Sequence, residues 1–252
     1  METTESAGQR KIEVCYSPAL FPVYYSSKNC VVVVIDVFRA TSAICTAFQY
    51  GVNSLIPVAT VEEALEYKNK GYIAAAERNG EIVEGFDMGN SPFSYMDENL
   101  KGKDVVLTTT NGTKAIERAQ AADKIVIGSF LNLDAVCKYL TALNKNIILL
   151  CAGWKDRYNL EDSLFAGAVV NRMKENPVYT GLADSSLAAD QLYQIAQGDL
   201  NAFLAKSSHR NRLARLNLQK DIEYCLQENV IDIVPVFAVN SLRIANQHVE
   251  VS

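Results

Sequence analysis

Runs of apolar residues alternate with helix-compatible segments along the first 150 residues. The clearest run is 31–35, five consecutive β-branched residues. A strand with one face in water would alternate polar and apolar positions, so this run predicts a strand buried on both faces by helices. Further strands are predicted at 11–16, 54–59, 72–76, 103–107, 124–128 and 146–151, and helices at 43–50, 61–70, 115–121 and 132–143. This order is typical of an α/β fold with a mainly parallel or mixed sheet.

After residue 151 the pattern changes to a helical C-terminal portion. Helices are predicted at 161–174 and through most of 185–226, with breaks near Gly198 and Ser207, and a last strand at 231–239. The simplest interpretation is one α/β domain over residues 11–252. Two closely packed subdomains divided near 125–150 are the alternative, and the polar residues 1–10 are predicted to be a disordered tail.

Four predicted strand ends carry polar side chains. They are Asp36 with Arg39, the segment 77–79, the segment 110–114 and the segment 151–162. In open α/β sheets ligands bind beyond the carboxyl ends of the strands. If the four strands are parallel, the four ends point the same way, and we expect them to share one pocket.

Carboxylates near arginines at such an edge indicate a metal ion and an anionic substrate. The chain has only two histidines, which excludes a zinc site built from several histidines and favours an oxygen-ligated ion such as Mg²⁺. Asp36 is the leading metal-ligand candidate, and Glu77, Asp87, Glu161 and Asp162 are further ones. The residues alone leave open whether Asp36 holds a metal or acts as a nucleophile.

The segment Thr110-Asn111-Gly112-Thr113-Lys114 follows a predicted strand and begins a predicted helix. A glycine there lets the backbone approach an anion, and the lysine adds positive charge. The spacing is not that of a Walker A loop. The segment is interpreted either as a phosphate-binding turn or as an ordinary Asn-Gly turn with an N-cap residue.

Cys151 and Arg157 have the Cys-x5-Arg spacing that thiol phosphatases use. This makes a Cys151 nucleophile an alternative hypothesis, with Arg157 as an anion ligand in either case. His209 lies between Ser208 and Arg210 and is interpreted as a residue on a helix surface, with proton transfer as the weaker hypothesis.

The composition limits the classes of partner. The formal net charge is -5 and the pI is about 5.2, which does not favour a nucleic-acid surface. No apolar run is long enough to span a membrane, and the N-terminus lacks the apolar core of a signal peptide. The six scattered cysteines indicate free thiols in a reducing compartment, so we expect a cytoplasmic protein.

Five motifs together resemble one known family. They are Val-Val-Val-Ile-Asp-Val-Phe-Arg-Ala-Thr-Ser, Glu-Arg-Asn-Gly, Gly-Phe-Asp-Met-Gly-Asn-Ser-Pro, Thr-Thr-Thr-Asn-Gly-Thr and Cys-Ala-Gly followed by Leu-Glu-Asp. In this order they resemble the 2-phosphosulfolactate phosphatase family of coenzyme M biosynthesis. The resemblance implies a three-layer α/β/α fold, a homodimer and Mg²⁺-dependent hydrolysis of 2-phospho-3-sulfolactate, or of a related 2-phospho-hydroxy acid, to sulfolactate and phosphate.

Such a small polyanionic substrate requires cations in the pocket, and arginine suits anion recognition better than lysine. The motifs and the resemblance together predict three groups of site residues. The catalytic residues are Asp36, Arg39 and Arg157. The substrate-binding residues are Thr41, Ser42, Arg78, Asn90, Thr110, Asn111, Gly112, Thr113 and Lys114. The metal ligands are Asp36, Glu77, Asp87 and Glu161. A non-catalytic protein that binds an anionic metabolite through the same residues is the alternative.

Overall fold

The computed structural model describes residues 9–25, 28–179 and 181–245. The predicted tail lies almost entirely outside these residues. The strands in them are β1 (Lys11–Cys15), β2 (Cys30–Ile35), β3 (Ser54–Pro57), β4 (Ile73–Arg78), β5 (Glu81–Ile82), β6 (Asp104–Thr108), β7 (Lys124–Gly128), β8 (Asn146–Cys151), β9 (Gly181–Leu182), β10 (Pro235–Ala238) and β11 (Ser241–Ile244).

The α-helices are α1 (Phe21–Tyr24), α2 (Ala40–Gln49), α3 (Val61–Asn69), α4 (Gly112–Arg118), α5 (Leu133–Leu143), α6 (Leu160–Met173), α7 (Asp184–Ala196), α8 (Leu200–Phe203), α9 (Ser208–Arg215) and α10 (Gln219–Cys225). None of these described helices combines the length and apolar character needed to cross a bilayer.

The α/β fold class is confirmed, with a mixed sheet. The strand order is β5-β4-β6-β3-β11-β10-β7-β2-β8-β1-β9. One block, from β7 to β9, is parallel throughout. A second block, β4-β6-β3, is also parallel. The antiparallel hairpin β10–β11 lies between them and pairs antiparallel with both β7 and β3.

Because three successive pairings across the hairpin are antiparallel, the second block runs opposite to the first. The four polar strand ends therefore do not belong to one parallel sheet, and the reason given for their convergence is wrong. Strands in a sheet twist by roughly 20–25° per step. Six steps separate β4 from β2 in the strand order, so a twist of this size adds up to roughly 120–150°, enough to turn the carboxyl ends of the reversed block towards those of the first block.

The side chains of β2 alternate between two cores. Val31, Val33 and Ile35 pack on one face with residues of α5, α6 and α7. Val32 and Val34 pack on the other face with residues of α2 and α4. All six residues of β2 are buried. The uninterrupted β-branched run is thus explained by helices on both faces, which is a three-layer arrangement.

The predicted elements correspond closely to the observed ones up to residue 196. The strands at 124–128 and 146–151 have the predicted bounds. The predicted strand at 231–239 shortens to β10, and sequence patterns did not indicate β11, β5 or β9. These missed strands have four, two and two residues, too few for periodicity to be detected. The single-domain interpretation stays a prediction.

We predict that Leu140→Ala in α5 lowers the free energy of unfolding by about 2–5 kcal/mol, because it leaves a cavity in the core. Leu140 is fully buried. The matched control is Leu187→Ala in α7, where the leucine is 46% exposed; a surface change of this kind shifts stability by about 0.5 kcal/mol or less. Urea unfolding followed by circular dichroism measures both, and equal midpoints would contradict the packing described for α5.

Candidate active site

A narrow cleft, whose enclosed volume is only about 10 Å³, opens where the carboxyl ends of the two blocks meet. We call it the carboxylate cleft. It is lined by Asp36, Phe38, Arg39, Glu77, Gly80, Asn90, Thr110, Asn111, Trp154, His209, Arg212 and Leu213. Its residues come from the end of β4, from the loops after β2, β4, β5, β6 and β8, and from helix α9, so it joins both halves of the sheet to the C-terminal helices.

Asp36 follows β2 directly and is buried at the base of the cleft. Its backbone N–H donates to the Thr41 hydroxyl at 3.2 Å, which fixes the loop. Gly112 packs against it: a Cβ there would lie 3.1 Å from Asp36 Oδ2 and 2.9 Å from the Ala40 Cβ. Burial first, and then the neighbouring Glu77 and Glu161, raise the pKa of Asp36 to about 7, although His209 acts in the opposite direction.

Glu77 reaches the cleft because β4 ends in a tight turn. Asn79 and Gly80 both have positive φ, as the two-residue loop between β4 and β5 requires. The Gly80 N–H donates to Glu77 Oε1, and the Thr110 N–H donates to Oε2 at 3.3 Å. The turn therefore ties the carboxylate to the loop after β6.

Glu161 and His209 form a buried pair beside Asp36. His209 Nδ1 lies 2.5 Å from Glu161 Oε1 and 3.2 Å from Asn159 Nδ2. Glu161 is completely buried, and its second oxygen, Oε2, has no hydrogen-bond partner in the described structure. A histidine oriented by a carboxylate in this way can hold or deliver a proton.

Asp162 connects the two central strand ends. Its carboxylate accepts hydrogen bonds from the Val37 N–H at 2.9 Å and the Gly153 N–H at 3.0 Å. Burial, with the nearby Glu161 and Asp36, raises its pKa well above the ordinary value. With both oxygens engaged by backbone amides, Asp162 fixes the loops rather than facing a ligand.

Arg39 is the buried cation of the cleft. Its Nη1 donates to Asp221 of α10 at 2.6 Å, and its Nη2 donates to the Gly80 carbonyl at 2.8 Å. The pair is buried on both sides. Helix α10 and the β4–β5 turn therefore set the orientation of the guanidinium.

Several other predicted residues lie at or beside the cleft. Asn90, Thr110 and Asn111 line it, and the buried Asn90 Oδ1 has no hydrogen-bond partner among the described residues. Asn111 stands at the N-cap position of α4, but its side chain accepts from the Lys155 N–H at 3.0 Å. Within the 110–114 turn it is the Thr109 hydroxyl that accepts from the Thr113 N–H, at 3.3 Å.

The hydroxyls of Thr41 and Ser42 are used inside the first loop. Thr41 accepts from Asp36, and Ser42 donates to the Val37 carbonyl at 2.9 Å. Both side chains are buried, so they shape the loop that carries Asp36 and Arg39.

Other predicted residues are not brought to the cleft. Arg78, Thr113 and Lys114 line a separate basic groove, together with Ala59, Thr109, Thr110, Glu117 and Arg118. Arg157 is exposed and closes a turn with Trp154. Asp87 is also exposed and forms an ion pair with Lys68 at 3.2 Å.

The interpretation of His209 as a surface residue is wrong, because only 8% of it is exposed and it lines the cleft. Sequence reasoning also missed Trp154, Arg212 and Asp221. His209 and Arg212 are three positions apart on α9 and thus share one helix face. That spacing was a usable signal, but nothing in the sequence showed which way the face points.

Cys151 is fully buried at the end of β8, in the same core as α5 and α6. Burial raises the pKa of its thiol well above the ordinary value. A nucleophilic cysteine needs a lowered pKa and access to substrate, and Arg157 does not line the cleft. The structure thus offers no support for a thiol phosphatase.

Among the described residues, no three His, Cys, Asp or Glu side chains form a ready-made metal cluster. Mg²⁺ does not require one, since it keeps several waters and commonly uses one or two carboxylates plus substrate phosphate. The unpartnered oxygens of Glu161 and Asn90, beside the buried carboxylates of Asp36 and Glu77, fit a hard cation. The donor set is thus compatible with Mg²⁺.

Comparison with known proteins agrees with the motifs. The model of the 2-phosphosulpholactate phosphatase family matches residues 15–240. A protein of Thermotoga petrophila named probable 2-phosphosulfolactate phosphatase is 45% identical over 203 residues, covering 81% of this chain and 87% of that protein. Relatives with the same name are 38% identical in Caldanaerobacter subterraneus (81% and 86% covered) and 37% identical in Clostridium botulinum (83% and 90% covered).

These matches confirm the resemblance found in the motifs, and the range of the family model includes every residue that lines the carboxylate cleft. The chain belongs to the 2-phosphosulpholactate phosphatase family, a family of phosphoric monoester hydrolases.

Proposed function

We propose that this protein is a Mg²⁺-dependent phosphatase that hydrolyses 2-phospho-3-sulfolactate, or a closely related 2-phospho-hydroxy acid, to the hydroxy acid and phosphate. The observation that carries the proposal is the carboxylate cleft. In one cavity it combines buried carboxylates that lack a full set of partners with the guanidinium groups of Arg39 and Arg212. Family membership supplies the substrate class.

The chain's own residues would bind and orient the substrate. Arg39, held by Asp221 and Gly80, presents a fixed positive charge to the phosphoryl group. Thr110 and Asn111 also line the cleft. His209 is held at Nδ1 by Glu161, which leaves Nε2 to protonate the oxygen that departs with the hydroxy acid.

Asp36 and Glu77 are the residues that would hold the metal, with Asn90 Oδ1 and Glu161 Oε2 as further oxygen donors nearby. A Mg²⁺ ion held there supplies Lewis-acid stabilisation of the phosphoryl oxygens. A cation also explains why like-charged carboxylates are buried together, since a buried charge is costly without a partner. We therefore favour Asp36 as a metal ligand rather than as the nucleophile.

We also propose a cytoplasmic homodimer. Free thiols at Cys15, Cys45, Cys137, Cys151 and Cys225 fit a reducing compartment, and the dimer follows from the family resemblance. Sedimentation equilibrium of the purified protein measures the state, and a monomer mass at micromolar concentration would rule the dimer out.

Phosphate release tests the proposed function directly. We expect release from phosphosulfolactate with Mg²⁺, and weaker release from phospholactate and phosphoglycolate. We expect none after EDTA until Mg²⁺ is restored, because without a metal ion the buried carboxylates of the cleft repel the phosphoryl group. Release from none of the three would favour a protein that only binds anionic metabolites. Release that survives EDTA and is lost in Cys151→Ser would support the thiol phosphatase instead.

Two carboxylate substitutions, one in the cleft and one on the surface, test whether activity depends on the proposed metal site rather than on surface charge. We predict that Asp36→Asn lowers kcat/KM by at least about 100-fold, since changing even an outer partner of a metal ligand costs roughly 10- to 100-fold. Asp87→Asn is the matched control: its carboxylate is exposed, and loss of such a surface ion pair should change kcat/KM by less than about threefold.

Steady-state phosphate release and calorimetric Mg²⁺ binding measure both variants, with circular dichroism to confirm the fold. Near-normal Mg²⁺-dependent turnover in Asp36→Asn would refute both roles considered for Asp36. A large loss of kcat/KM in Asp87→Asn would indicate that Asp87 is a metal ligand after all.

A further inference from the structure

Arg212 is a cation of the cleft that forms no ion pair with the described residues, although the carboxylates of Glu77, Glu161 and Asp36 act on its charge from a distance. Arg39, by contrast, is paired with Asp221. Within residues 9–25, 28–179 and 181–245, no carboxylate forms an ion pair with Arg212, and its buried Nε has no hydrogen-bond partner. Burial lowers the pKa of Arg212, so its positive charge is partly desolvated. An arginine left in this state is suited to receive an anion from outside the chain.

Trp154 holds the guanidinium in place. The Arg212 Cζ lies over the indole ring, 4.3 Å from its centroid, and the ring comes from the loop after β8. A cation stacked on tryptophan keeps its hydrogen-bond donors, which lie in the guanidinium plane, free for a ligand. The stacking therefore orients Arg212 without consuming its donors.

The carboxylates lie deeper in the cleft than Arg212 and Trp154 do. Asp36 and Glu77 are buried at the base of the cleft, whereas Arg212 and Trp154 are half-buried at its rim. A phosphoryl group that reaches the carboxylates and their metal would lie at the base. The rim arginine would then meet a different part of the same substrate.

Lys155 also stacks on the Trp154 indole, 4.9 Å from its centroid, but it is exposed and does not line the cleft. Two further cations near the cleft, Lys114 and Arg78, are already engaged. Lys114 forms an ion pair with Asp156 at 2.7 Å. Arg78 donates to the Glu77 carbonyl at 2.6 Å and to the Thr108 hydroxyl at 3.0 Å, and both residues line the separate basic groove. Arg212 is the cation best placed for a second anionic group.

Resting on the proposed function, we infer that Arg212, stacked on Trp154, binds the sulfonate of the substrate and sets the preference for a 2-phospho-hydroxy acid that carries this group. In such a substrate the sulfonate sulfur is one bond farther from phosphorus than the carboxylate carbon is. It is therefore the group that reaches outward to the rim while the phosphoryl group stays at the base.

Two substrates that differ only in the sulfonate test this inference. Phosphosulfolactate and phospholactate share the phosphoryl and carboxylate groups. We expect Arg212→Gln to reduce the ratio of their kcat/KM values by about 10- to 100-fold, the range for one lost charged hydrogen-bonding partner. The value for phospholactate should change little, because that substrate offers no group to the rim.

Arg215→Gln is the matched control, since Arg215 is exposed on the same helix, outside the cleft, and should leave the ratio unchanged. Arg212→Lys keeps the charge without the planar donors and should recover part of the ratio. Thermal unfolding of each variant shows whether it folds. An equal loss with both substrates would overturn the inference and place Arg212 at the phosphoryl group.

Equilibrium binding of the products keeps this test independent of turnover. Wild type and Arg215→Gln should bind sulfolactate more tightly than lactate, and Arg212→Gln should lose that preference. If wild type hydrolyses neither phosphate ester, the proposed function fails, while the sulfolactate preference still decides the role of Arg212. Equal binding of sulfolactate and lactate to wild type would overturn the inference even if phosphate is released.

Discussion

The burial of several carboxylates in one small space is the constraint on which the site depends. A buried carboxylate is costly unless backbone donors, a cation or a proton compensates it. Asp162 obtains two backbone N–H donors, and Glu77 obtains those of Gly80 and Thr110. Burial, and then the neighbouring Glu77 and Glu161, raise the pKa of Asp36. Among the described residues the second oxygen of Glu161 has no partner, so the cleft holds more negative charge than its own donors compensate. That imbalance is what makes the cleft suited to a cation and an anionic ester together.

The same contacts also hold separate parts of the chain together. Asp162 joins the loops after β2 and β8, and Glu77 joins those after β4 and β6. Arg39 connects the first loop to α10 through Asp221 and to the β4–β5 turn through Gly80. Each contact links segments distant in sequence, so the site's polar network also serves as a structural junction between the two blocks of the sheet and the C-terminal helices.

The C-terminal helices supply groups that the strand ends lack. Helix α9 contributes His209 and Arg212, and α10 contributes Asp221. Polar residues three positions apart on a short helix, such as His209 and Arg212, are also what a solvent-exposed helix face carries. The composition of α9 therefore suggested a surface helix, and only its packing against Phe38 and Trp154 shows otherwise.

The sequence by itself determined the α/β class, the central strand β2 and the positions of Asp36, Glu77 and Thr110 after strands, because buried β-branched runs and polar strand ends are local signals. The family was also readable from the order of short motifs. The tertiary structure alone decided that the β10–β11 hairpin reverses one block of strands, which of the predicted residues share the cleft, and that His209 and Arg212 join them. Those outcomes depend on strand pairing, accumulated twist and the direction of a helix face, which are set by contacts between segments far apart in the chain.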